Sequence, residues 1–175
     1  TRLAIELATK VASRFPDGVA FVELAPLEDP RSVVGTIAAA LGATPDATRS
    51  PVDALLQYLA QRTQLVVLDN CEHLLDASAL LATQLLRACP GVKLLATSRE
   101  ALRVAGETVY QVPPLSVPDA ASDVAPEVVR DSPSVALFVA RASALDRGFT
   151  LTPDNAADIA AICRKLDGIP LALEL

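Results

Sequence analysis

The chain has 175 residues, of which 51% are hydrophobic and 21% charged, and a net charge of −6. That balance fits a folded chain with a sizeable core. It excludes a disordered polymer, and no window approaches the roughly 18 uninterrupted apolar residues of a membrane span. The acidic charge excludes a grip on nucleic acid through the overall field, so DNA is expected only through a separate domain.

Helical periodicity runs from about Thr1 to Arg14, with Leu3, Leu7 and Val11 expected on one stripe. A Phe15-Pro16-Asp17-Gly18 turn follows, and Val19 to Leu24 reads as a strand. Asp29-Pro30 suits a helix start and Gly42 its stop. Ser50-Pro51 opens another helix, expected to reach about Gln61. In Leu65-Val66-Val67-Leu68-Asp69 four apolar residues end in a carboxylate, which suits a parallel strand buried on both faces. Leu75 to Ala88 is helical and is closed by Pro90-Gly91. Val92 to Thr97 is a strand that runs into Ser98-Arg99-Glu100, and Glu107 to Val112 alternates like a further strand up to Pro113-Pro114. Strands alternating with helices predict βα units and a parallel sheet.

The texture changes near residue 115. Residues 116–131 hold Pro118, Pro126 and several aspartates without a period and read as a linker. Ser132-Pro133 starts a helix to about Asp146. Pro153 starts another, with Ile159, Ile162, Cys163 and Leu166 on one face, and Pro170 begins a third. The expected organisation is an α/β unit over 1–115, a linker over 116–131 and part of an all-helical unit over 132–175. No signal peptide opens the chain, and Cys71, Cys89 and Cys163 fit no metal spacing. They are expected to be buried thiols in a cytoplasmic protein. The chain has no methionine and opens in mid-pattern, so a piece of a longer protein is expected.

The candidate site follows from the sheet. In parallel sheets ligands bind beyond the carboxyl ends of the strands, where Asp69 is expected. A carboxylate there suits Mg²⁺, which takes one or two carboxylates together with phosphate oxygens. One strand later, Thr97-Ser98-Arg99 brings polar groups and a guanidinium to the same rim, and arginine forks onto phosphate oxygens. Thr1 opens a helix whose free N–H groups favour a phosphate; its hydroxyl is either a helix cap or a Mg²⁺ ligand. Gly168-Ile169-Pro170 is either a plain helix junction or an apolar platform for a flat base. His73, the only histidine, is expected to be structural.

Four stretches together carry a likeness: Leu65 to Leu75, Leu94 to Glu100, Tyr110 to Leu115, and Cys163 to Leu175. In this order they resemble the nucleotide-binding module of STAND-class P-loop ATPases, related to NB-ARC domains, as in bacterial multidomain transcriptional regulators. The resemblance implies a P-loop NTPase-like parallel sheet flanked by helices, a first helical subdomain after it, and an ATP/ADP switch with Mg²⁺. It implies Thr1 and Asp69 as Mg²⁺ ligands, Asn70 and Ser98 beside the nucleotide, Arg99 as sensor of the terminal phosphate, and Pro170 against adenine. It also implies contacts with other domains of the same chain and self-association on activation. The strand, glycines and lysine of the phosphate loop would precede Thr1. Asn70 stands where related ATPases often carry a second acid, and an amide cannot act as a general base. Glu72 is the substitute candidate for that catalytic role. Two rival readings stay open, an efficient ATP hydrolase and an interaction scaffold that has lost nucleotide binding.

Overall fold

The computed structural model describes residues 1–44, 48–119 and 129–175. The chain divides into two compact units, Thr1–Val109 and Tyr110–Leu175.

The first unit is α/β. Strands β1 (Val19–Glu23), β2 (Leu65–Asp69) and β3 (Lys93–Ala96) form a three-stranded sheet in the order β1-β2-β3. Both pairings are parallel, with Val19 opposite Leu65, Glu23 opposite Asp69 and Leu68 opposite Ala96. The central strand β2 is buried along its whole length, as its unbroken apolar run requires. Alternation divides its side chains between two layers. Val66 and Leu68 join Ile37, Leu55, Leu59, Leu81 and Leu85 in a core under helices α2 (Ser32–Leu41), α3 (Pro51–Leu59) and α4 (Leu75–Ala88). On the opposite face Leu65 and Val67 meet Ala4 and Ala8 of α1 (Arg2–Val11).

Local chemistry sets the helix ends. Ser50 extends before α3, and its Oγ accepts from the Asp53 N–H at 3.1 Å, with Pro51 in the first turn. Gly42 closes α2 in the left-handed region at φ 70°.

The stripe expected on α1 is rotated. Ala4 and Ala8 face the sheet, and Leu3 is 57% exposed with Leu7 exposed beside it. Small side chains let the helix axis approach β2 closely, and two leucines in the same place would hold it off. Nor is there a strand over 107–112. Glu107 instead turns back to accept from the N–H groups of Leu102 and Arg103, and Val109, Tyr110 and Val112 are exposed without a partner strand. Alternation without a neighbouring edge makes no ladder, and Pro113-Pro114 supply no N–H groups to one.

The second unit packs α5 (Pro133–Leu145), α6 (Pro153–Lys165) and the short α7 (Pro170–Glu174) around Val129, Val135, Ile159, Ala160, Cys163 and Leu173. Of the residues expected on one face of α6, Ile159 and Cys163 are buried and Ile162 is exposed. A capping box between Thr152 and Asn155 starts α6. The segment read as a linker, 116–131, is partly core: Val117 packs against this cluster, Val129 lies inside it, and the Ser116 carbonyl accepts from Ser132 Oγ at 2.9 Å; Leu115, read as the end of the first unit, packs there too. The remainder of that stretch, 120–128, lies outside the described residues. The Leu115 N–H donates to the Gly168 carbonyl at 2.9 Å, so the chain entering the unit is clasped to the turn before α7.

No helix among the described residues is long and apolar enough to cross a membrane. Cys71, Cys89 and Cys163 are buried free thiols, and burial pushes the Cys71 thiol up to about 11. All three should resist a disulfide reagent at mildly alkaline pH and react together once the chain is unfolded in urea; rapid labelling of the native protein would contradict this burial.

The clasp gives a sharper test. Gly168 sits at φ 64°, and a Cβ there would run into the Leu115 carbonyl oxygen, whereas Gly42 at φ 70° faces open space. Gly42→Ala should cost only the left-handed backbone penalty, about 1–2 kcal/mol. Gly168→Ala should cost about 1–3 kcal/mol more through the collision. Urea unfolding of the two variants measures the difference, and equal costs would mean that the approach of Leu115 carries no strain.

Candidate functional site

Because the three strands run parallel, their carboxyl ends share one rim. Asp69 is the last residue of β2 and is only 3% exposed. A carboxylate this buried needs hydrogen-bond donors. Thr1 supplies one, with Oγ1 donating to Oδ2 at 2.7 Å; Thr97 supplies another, with Oγ1 donating to Oδ1 at 2.7 Å. Burial alone would raise the Asp69 carboxyl. Hydroxyl bonds from Thr1 and Thr97 oppose it, and the carboxyl lies below its ordinary value. Thr1 precedes α1, yet its side chain makes no cap bond, so the hydroxyl is committed to Asp69 rather than to its own helix.

Beyond Asp69 the chain turns sharply. Asn70 lies in the left-handed region at φ 66°, which asparagine tolerates better than most residues. Its N–H donates to Thr97 Oγ1 at 3.0 Å, and the next N–H, of Cys71, donates to the Thr97 carbonyl at 2.9 Å. Thr97 thus receives one loop with its backbone and side chain while its hydroxyl proton points at Asp69. His73 ties in the segment after β1. Its Nε2 lies 3.1 Å from the Leu24 carbonyl and 2.9 Å from the Leu27 carbonyl, just past β1. Carbonyls only accept, so Nε2 carries the proton, and Nδ1 accepts from the Asn70 amide at 3.3 Å.

Arg99 extends from the loop after β3. Its Nε donates to Glu72 Oε1 at 3.0 Å, and Glu72 stands on the 3-10 turn Cys71–Leu74 between β2 and α4. Ser98 folds back, its Oγ accepting from the Glu100 N–H at 3.2 Å.

Of the residues expected at the site, Thr1 and Asp69 touch, and Glu72 and Arg99 touch. Asn70 belongs to the rim through its backbone, while its side chain turns to His73. Ser98 bonds its own loop instead of the carboxylate. Glu72, expected as a base, is already engaged by a guanidinium. Pro170 opens α7 in the second unit, with exposed Ile169 and Leu171 on either side of it. Two contributors carried more than the sequence reading assigned them, Thr97 as a partner of Asp69 and His73 as the tie to β1. The strand register finds the first: if Leu68 faces Ala96, the next pair is Asp69 and Thr97.

A carboxylate oxygen beside a hydroxyl makes a pair of hard donors that fits Mg²⁺, provided that phosphate oxygens and water complete the shell. Among the described residues no group of three or more His, Cys, Asp or Glu gathers to hold a metal ion by protein ligands alone.

No protein-family model matches the chain. It is 47% identical over 174 residues to a Mycobacterium tuberculosis protein named "Putative HTH-type transcriptional regulator", a match that takes in 99% of this chain and 18% of that protein. A Mycobacterium bovis protein of the same name matches equally. An M. tuberculosis protein named only "Uncharacterized protein" is 38% identical over 175 residues, covering 41% of its length. The chain therefore spans less than half of the curated relatives it matches, and is similar along almost its whole length to a segment of proteins named as transcriptional regulators.

Thr97→Val should destabilise the first unit by about 1.5–3 kcal/mol, since it removes a hydrogen bond to a charged group. It also leaves the Asn70 N–H without its acceptor. Thr97→Ser should restore most of the loss. The Asp69 carboxyl is lowered on folding, so the stabilisation it contributes is complete above its ordinary value of 3.8 and fades as pH falls through the lowered one. The gap between wild type and Thr97→Val, followed by urea unfolding, should therefore stay level at neutral pH and narrow only under strongly acid conditions. A gap that widens with acid would reverse the assignment.

Proposed function

We propose that this chain is the nucleotide-binding switch module of a bacterial transcriptional regulator, with a P-loop NTPase-like sheet that binds ATP or ADP with Mg²⁺. The observation that carries the reading is the Thr1–Asp69 pair, a hydroxyl and a buried ionised carboxylate 2.7 Å apart at the carboxyl rim of a parallel sheet. The relatives named as transcriptional regulators support the regulatory role, and the four motifs support the nucleotide. Thr1 and Asp69 would hold the metal ion, which supplies charge neutralisation to the phosphates. Arg99 would meet the terminal phosphate. DNA would be met by a separate domain.

A switch suits these residues better than a fast hydrolase. Asn70 has no base to offer and Glu72 is held by Arg99. Nucleotide state can bias an arrangement of domains only through a difference in affinity between its forms. The contact that can supply such a difference is the one to the terminal phosphate.

The test is calorimetric titration of the intact protein with ATP and ADP, with and without Mg²⁺. Asp69→Asn keeps the side-chain shape and should weaken Mg²⁺-dependent binding by at least about tenfold, while magnesium-free binding changes little. Unchanged Mg²⁺-dependent affinity in a variant that melts normally would remove Asp69 from the site. Failure of the wild type to bind either nucleotide would favour the interaction scaffold.

A further inference from the structure

Glu72 and Arg99 form an asymmetric pair. The Arg99 side chain is 84% exposed, the Glu72 side chain 16%. The contact runs through Nε alone, 3.0 Å from Glu72 Oε1. A guanidinium has five N–H donors in a rigid plane, so a hold on Nε leaves its two terminal nitrogens presented together as a fork. Both stalks are rooted in the same stitch. Cys71, the residue before Glu72, donates its N–H to the Thr97 carbonyl at 2.9 Å, and Thr97 stands two residues before Arg99. The carboxylate is therefore fixed at its base and largely buried at its side chain, and a long, exposed arginine is fastened to it at one point.

We infer that Glu72 is a positioning residue that holds Arg99 by Nε and aims its terminal nitrogens at the last phosphate of a bound nucleoside triphosphate. This inference rests on the nucleotide-switch reading above and gives Glu72 a role other than that of base. An arginine this exposed samples many rotamers, and freezing it at the moment of binding costs affinity. A carboxylate that restricts it beforehand removes part of that cost, and only for a ligand that reaches Arg99. The effect belongs to the triphosphate and leaves the diphosphate untouched, so Glu72 sharpens the discrimination on which a switch depends.

The experiment is a double-mutant cycle on the intact protein, with Mg-ATP and Mg-ADP affinities measured by calorimetry and melting followed in parallel. Glu72→Ala should lower ATP affinity by about two- to tenfold and leave ADP affinity and melting unchanged. Glu72→Gln keeps an oxygen acceptor for Nε and should retain most of the affinity. In an Arg99→Ala background, Glu72→Ala should have no further effect. Parallel losses for ATP and ADP would mark a merely structural role, and a gain in ATP affinity would mark Glu72 as a competitor for Arg99; either overturns the inference. If the wild type binds ATP and the ATP/ADP ratio survives Glu72→Ala, this inference fails alone. If the wild type binds neither nucleotide, the switch reading fails first and the inference with it.

Discussion

A buried carboxylate at the end of a buried strand is the constraint around which the first unit is arranged. Asp69 has too little contact with water to be solvated, so donors must come from the protein. They come from two directions. Thr97 reaches across from the neighbouring strand, and Thr1 reaches from the start of the helix on the opposite face. One ionised group thereby joins the end of the sheet to the α1 layer, and the backbone around it follows. Asn70 takes a left-handed turn so that its N–H and that of Cys71 can both reach Thr97. His73 then links this turn to the segment after β1. The rim is a hydrogen-bonded network in which removal of one partner leaves another unsatisfied.

The parts of this arrangement that were legible in the sequence are those set by local rules. The apolar run of β2 and its terminal carboxylate are visible because a strand buried on both faces has no alternative composition. Helices α3, α5 and α6 are visible because proline fixes φ at each start, with Ser50 and Thr152 capping α3 and α6. What was not legible depends on neighbours. The pattern of Glu107 to Val112 has the period of a strand, but a period does not create a partner edge. The leucines of α1 outrank its alanines on any hydropathy scale, yet a close helix–sheet approach selects the smaller side chain. The stretch from residue 116 looks like a linker because proline and aspartate suppress periodicity, and only the tertiary cluster reveals Val117 as core. In the site, the residue types and the shared rim were visible. The pairing of Glu72 with Arg99, and the role of His73, needed the conformation of the turn after β2.

The second unit follows a different logic. Its helices surround a small core, and at Gly168 the missing side chain makes room for a carbonyl. The Leu115–Gly168 bond brings two chain segments 53 residues apart into register (168 − 115), and Pro170 lies two residues beyond it. Any ligand contact at Pro170 is thus made by a turn whose backbone is held to the chain that enters this unit. A surface loop would be free to yield to such a contact, whereas a clasped turn passes it on to its own unit.

The contrast between Asp69 and Arg99 matches the different work that the proposed switch would give the two residues. A buried, doubly hydrogen-bonded carboxylate is costly to move and stays ionised across the physiological range, which suits a constant anchor for a cation. An exposed guanidinium in a single-point ion pair loses little when its surroundings change. On the proposed switch, a firmly held metal position and an arginine held at one point would complement each other, and the stitch at Thr97 serves both because it fixes the backbone beneath Arg99 while the guanidinium stays in water.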